Sequence, residues 1–230
     1  MNDRETRKHG HSTNPAEISS NEAFDGNKRG TEMLDRAVKL SGKLRKVVEQ
    51  LAKFSNVDER GAYGKTALHI AARDSNGDVV RMLIDAGWSP GVRDNFGLTP
   101  LHEAKNERVL QLLLKGGGVR SIEAADSDGL RPLHLAAIEG NVEMIHVLIN
   151  AGAKINPVTI DGETAVHLAA MNGNLNVVET LENAGAILGM RRKDGKTPKD
   201  LAWDYNHEDV ADFLEDHPDE GRIHWVRTLL

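Results

Sequence analysis

The chain has 230 residues, no cysteine, and 29 basic against 35 acidic side chains, a formal net charge of -6. Without cysteine there are no disulfides, zinc–thiolate sites or thiol catalysis, and the mild acidity gives no global attraction to nucleic acid or an anionic membrane. No apolar run approaches the ~20 residues of a membrane-spanning helix. The first ten residues are charged and do not have the make-up of a secretory leader, so an intracellular protein, cytoplasmic or nuclear, is expected.

Residues 1–30 carry Asn, Ser, Gly and balanced charges, with Ile18 and Phe24 the largest apolar side chains. Too little surface can be buried there, and a disordered tail is predicted. From Thr31 to Phe54, Met33, Leu34, Ala37 and Val38, then Leu44, Val47, Val48 and Leu51, recur at helical spacing on either side of Ser41-Gly42. This predicts a helix pair over 31–56. It also carries Arg36, Lys39, Lys43, Arg45, Lys46 and Lys53, the polar face that a terminal capping unit needs.

A seven-residue sentence then recurs: Thr66-Ala-Leu-His-Ile-Ala-Ala72, Thr99-Pro-Leu-His-Glu-Ala104, Arg131-Pro-Leu-His-Leu-Ala-Ala137, Thr164-Ala-Val-His-Leu-Ala-Ala170 and the degenerate Thr197-Pro-Lys-Asp-Leu-Ala202. The steps are 33, 32, 33 and 33 residues, and Gly64, Gly97, Gly129, Gly162 and Gly195 keep the same steps. A period of this length is a stacked repeat architecture. Within each unit the threonine hydroxyl suits a helix N-cap, and Pro100, Pro132 and Pro198 fall at the first helical position, where no donor is lost. Gly140 and Gly173 suit a left-handed helix stop. A second helix follows, with stripes such as Val79, Val80, Met82, Leu83 and Ile84, or Met144, Ile145, Val147, Leu148 and Ile149. A glycine-bearing polar loop leads to the next unit.

The second unit departs from the pattern. About three residues are missing between Leu101 and the stripe starting at Val109, so its first helix or turn must be shorter. About two return in Gly116–Glu123, predicting a longer and looser loop, with Gly116-Gly117-Gly118 as a helix stop. In the last unit Asp200 replaces histidine, and the second helix carries Val210, Ala211, Phe213 and Leu214, as in a terminal cap over 197–217. Eight acidic residues and no Lys or Arg lie between Asp204 and Glu220. Pro218 ends the helix, and 218–230 form a tail with Ile223, Trp225, Val226, Leu229 and Leu230, either a motif for a partner or a strip folded back on the last unit.

These units, with Thr-Pro-Leu-His, Ala-Ala, the apolar stripe and Gly-Ala in phase, resemble the ankyrin-repeat family over about residues 32–217. The resemblance implies an all-α ankyrin-repeat solenoid over 31–217, made of helix–turn–helix pairs with hairpin-like finger loops and repeats starting near 66, 99, 131 and 164. It implies a module that binds another protein on its concave face. In such proteins the residues flanking each finger glycine, and the two after Ala-Ala, face that side. Mapped here they include Tyr63, Lys65, Arg73, Asp74, Asn95, Phe96, Leu98, Lys105, Asp128, Leu130, Ile138, Glu139, Ile160, Glu163, Met171 and Asn172. The partner-binding set is Tyr63, Lys65, Arg73, Phe96, Leu98, Leu130, Ile138, Ile160 and Met171, whose apolar members would form an exposed ladder of the kind that marks interfaces. Finger residues packing on neighbouring fingers is the competing reading for Leu98 and Leu130.

His69, His102, His134 and His167 lie a repeat apart, roughly ~10 Å for packed helices, too far for two of them to share a metal. By resemblance they bond backbone in neighbouring loops. His102-Glu103 lacks the second histidine of a zinc-protease motif, Asn106 standing there, and no Gly-x-Ser-x-Gly elbow or phosphate loop is present. No enzyme, metal or cofactor is expected, and no nucleic acid or membrane partner. A monomeric adaptor, scaffold or inhibitor is predicted, with a regulatory subunit or inhibitor of an enzyme such as a kinase, or a structural self-associating spacer, as alternatives. Asn156 resembles an asparagine that hydroxylases modify in such repeats, against the plainer role of bonding its own turn. Trp88 is expected to cover a loop edge.

Overall fold

The computed structural model describes residues 60–218; the predicted tail 1–30, the helix pair 31–56 and residues 219–230 lie outside the described residues. Five helix pairs follow one another: α1 (Ala67–Arg73) with α2 (Gly77–Asp85), α3 (Pro100–Glu103) with α4 (Glu107–Lys115), and α5 (Pro132–Ile138) with α6 (Val142–Asn150). After them come α7 (Ala165–Met171) with α8 (Leu175–Asn183) and α9 (Pro198–Asp204) with α10 (Glu208–Asp216). No strand occurs among the described residues. The architecture is the all-α repeat stack read from the sequence.

First helices pack on first helices, and second helices on second helices, in chain order. The small faces explain the first row: Ala71, Ala72, Ala136, Ala137, Ala169 and Ala170 are all buried and let adjacent backbones approach closely. The second row packs through stripes such as Val79, Val80 and Leu83, then Val109, Leu110 and Leu113, and then Val177, Val178 and Leu181. Burying such side chains contributes about 1.5–3 kcal/mol each. The turn between the helices of a pair is set by asparagine. Asn76, Asn106 and Asn141 accept from the amides of Val79, Val109 and Met144 at 3.2, 2.9 and 3.0 Å, satisfying one orphan donor of each second helix.

The second unit is shortened as its missing residues require. Helix α3 has four residues, and Ala104 turns to extended backbone at φ -64°, ψ 129°. The loop after α4 differs from expectation: it is tight. Gly117 takes the left-handed conformation (φ 104°), a 3-10 turn follows over Gly118–Ser121, and Ser121 and Ile122 are buried. The extra residues are absorbed by that turn because glycine stands at its start. A Cβ on Gly118 would lie 2.6 Å from the Leu113 carbonyl oxygen. Trp88, expected at a loop edge, is only 3% exposed and belongs to the core.

Candidate functional site

Each loop folds as a short finger closed by its own backbone. Asp94 donates its amide to the Leu98 carbonyl at 2.8 Å, and Gly97 donates to the Asp94 carbonyl at 3.1 Å. The Asp94 carboxylate accepts the Phe96 and Leu98 amides, both at 2.9 Å. Asp126 repeats this arrangement, and the Thr159 hydroxyl does so one unit later. Successive fingers are then joined in one register. Asn95, Ser127, Ile160 and Lys193 donate their amides to the carbonyls of Tyr63, Phe96, Asp128 and Asp161 at 2.8–3.0 Å. This contact requires glycine at the bend, since a Cβ on Gly129 (φ 79°) would meet the Ile160 nitrogen at 2.7 Å.

The histidines fasten the fingers to the helices. Nδ1 of His69 accepts the Thr66 amide at 3.1 Å, which places the ring hydrogen on Nε2, and Nε2 donates to the Leu98 carbonyl at 3.0 Å. His102, His134 and His167 do the same towards the carbonyls of Leu130, Pro157 and Lys196. Burial lowers the pKa of all four, against the opposing pull of those carbonyls, and brings His167 down to about 4. They are neutral, doubly engaged rings. Among the described residues no group of three or more His, Asp or Glu could hold a metal ion, and no helix is long and apolar enough to cross a membrane.

The residues of the expected ladder fall into three environments. Tyr63, Phe96 and Ile160 stand on the fingers with 66%, 49% and 53% of their surface exposed. The first two are within ring contact, centroids 5.9 Å apart. Leu98 and Leu130, on the fingers, and Ile138 and Met171, at the ends of α5 and α7, are half-buried. Arg73 is exposed at the end of α1 and interacts with Asp74 at 3.3 Å. Lys65 bonds Glu103 and lies 3.8 Å from the buried Asp94 carboxylate, so its charge is directed into the stack. Lys105 pairs with Glu139 across the place where α3 is cut short. Arg192 bridges Glu163 and Asp194, both at 2.7 Å, and holds Asp194 down to about 2.

Two exposed aromatics were not singled out in the sequence, Trp203 and Tyr205 at the end of α9. The signal was present: Trp203 occupies the register position of Ala72, Ala137 and Ala170. Asn156 does not bond its own turn. Its Oδ1 accepts the Ile187 amide of the following unit at 3.0 Å.

A family model described as ankyrin repeats, three copies, matches residues 34–122, 86–159, 104–187 and 133–222, together running from 34 to 222. Curated relatives include neurogenic locus notch homolog protein 1 of Mus musculus, 40% identical over 98 residues, which covers 41% of this chain and 4% of that protein. The Xenopus laevis protein of the same name is 37% identical over 114 residues, 48% of this chain and 4% of its own length. Tyrosine-protein kinase HTK16 of Hydra vulgaris is 35% identical over 105 residues, 44% of this chain and 14% of that protein. The match thus spans only a small section of each of these long relatives.

Proposed function

Because the chain belongs to the ankyrin-repeat family, whose repeats are protein–protein interaction modules, we propose that it is a non-catalytic adaptor, scaffold or inhibitor holding a partner protein on its fingers and first-helix face. The observation that carries this reading is Tyr63. Its backbone is left-handed (φ 60°, ψ 19°), a conformation that costs a residue with a Cβ roughly 1–2 kcal/mol and suits glycine or asparagine. A large aromatic held in that conformation, mostly in solvent and against Phe96, costs stability without filling a core. Strain of this kind is characteristic of binding sites, and aromatic side chains are enriched among interface anchors.

Phe96 and Ile160 extend the anchor along the fingers, and Arg73, Leu98, Leu130, Ile138 and Met171 supply the adjoining surface. The module works as a monomer inside the cell, and its effect is occupancy of the partner.

The test uses proteins captured from the native source, with the retained partner then purified and titrated. Tyr63→Gly is expected to keep or raise the melting temperature while weakening partner affinity at least about tenfold, the effect of an interface anchor. Phe96→Glu should do the same or more. Unchanged affinity in both variants, with intact folds, would exclude the finger surface.

A further inference from the structure

The stack closes on an aromatic residue where its regular units have alanine. Ala72, Ala137 and Ala170 stand six residues after Thr66, Arg131 and Thr164, and each is fully buried. The residue in that position of the last unit, six after Thr197, is Trp203, and 46% of its surface is exposed. Other means of joining to a further unit also end here. His167 sends Nε2 to the Lys196 carbonyl, whereas Asp200 takes over only the capping role, accepting the Thr197 amide and hydroxyl at 2.8 Å each. Fully buried Val166 has Lys199 as its counterpart, half-buried and 3.8 Å from Glu215. The last unit therefore presents an aromatic-centred face that no described residue covers. It is flanked by the acidic α10, with Glu208, Asp209, Asp212, Glu215 and Asp216.

The remaining chain has the complementary chemistry. From residue 221 to 230 there are five large apolar residues, Ile223, Trp225, Val226, Leu229 and Leu230, together with Arg222 and Arg227 and no acidic residue. Immediately before, residues 204–220 hold eight acidic side chains and no Lys or Arg. The chain leaves α10 at His217, whose ring stacks on Phe213 with centroids 4.2 Å apart. Twelve residues beyond Pro218 reach up to about 40 Å, several times the ~10 Å spacing of packed helices. Attachment gives the segment an effective concentration of order millimolar.

We propose that residues 222–230 cover this end of the stack in cis. Their apolar side chains lie against Trp203, and Arg222 and Arg227 against the acidic residues of α10. The segment acts as the terminal cap that a polar repeat surface supplies in other stacks. This assignment is independent of the finger surface.

The experiment is a double-mutant cycle in the full chain, read by amide hydrogen exchange of α9 and α10. Trp203→Ala installs the residue used at this position in other units and should preserve the fold. Trp225→Ser combined with Leu229→Ser changes only the segment. Each arm is expected to speed exchange in α9 and α10 by about tenfold, and all three changes together no more than either arm alone, as for two halves of one contact. The proposal is overturned if the segment variant leaves exchange unchanged, if the two arms multiply independently, or if protection rises with protein concentration. That last outcome would assign the face to a second copy. Arg222→Gln with Arg227→Gln should weaken protection most at low salt; no effect there would remove the electrostatic half.

Discussion

The second and fourth units are built on one frame and differ by a turn of helix. Helix α7 runs seven residues and buries Ala169 and Ala170 completely, while α3 stops after Glu103. Both keep the same histidine fastening at their first turn and a nine-residue second helix. The difference teaches that register in this stack is set at the start of each first helix, where threonine, histidine and the next finger meet. The second half of that helix adds packing but not registration. Where it is missing, Lys105 and Glu139 close the outer edge.

The largest effect should come from removing the shared part. His167→Ala leaves the Thr164 amide and the Lys196 carbonyl without their ring partners and opens a cavity. Since a buried unsatisfied group costs about 1–3 kcal/mol, a loss of about 4 kcal/mol is expected in urea unfolding. His102→Ala should lose less, because the shorter α3 packs less surface around it; equal losses would mean that helix length does not matter to the fastening.

Acidification acts on both units through the same rings. His167 is neutral in the fold down to about pH 4 because burial outweighs its bond to the Lys196 carbonyl, whereas its ordinary value is 6.5. Below pH 6.5 the unfolded chain binds more protons than the folded one. Stability is therefore complete above 6.5 and falls as pH drops towards 4, by up to about 3 kcal/mol from His167 alone. Thermal melts from pH 7.5 to 4 would show the slope, and it should flatten in the His167→Ala protein; an unchanged slope would mean that this ring is not the titrating group.

Smaller changes separate the units further. Ser75 holds φ 58° at the helix stop where Gly140 and Gly173 serve later units. Ser75→Gly should raise stability by about 1 kcal/mol, visible as a higher melting temperature. Lys105→Ala, which removes a largely exposed pair, should cost under about 1 kcal/mol in buffer and less in high salt. A larger loss would make that pair, rather than the first turn, the support of the shortened unit.

The repeat period and the helix pairs were legible because each rests on local chemistry repeated at a fixed spacing, whereas the backbone-bonding role of the histidines was implied by the family resemblance. The exposure of Tyr63, Phe96 and Ile160 followed from their places beside the finger glycines, and packing on a neighbouring finger was an open reading for Leu98 and Leu130, but half-burial of Ile138 and Met171 was not legible. Whether a finger residue faces solvent depends on how closely the next finger lies, and that distance is not a property of either loop alone. The loop after α4 was misjudged for the same reason. Its composition suggests slack, yet Gly118 lets it pack against the Leu113 carbonyl.

By itself, then, the amino-acid sequence determined a stack of helix pairs, its register and the shortened second unit. These need only capping residues, helical periodicity and a count of residues between glycines. The tertiary structure alone decided that Lys65 points into an ion pair with Glu103, that Trp88 is core, that Asn156 ties one unit to the next, and that Trp203 is left half-exposed by the described residues. Each of these depends on what a neighbouring unit places within a few ångströms, and residues some thirty positions apart have no local signature of their contact.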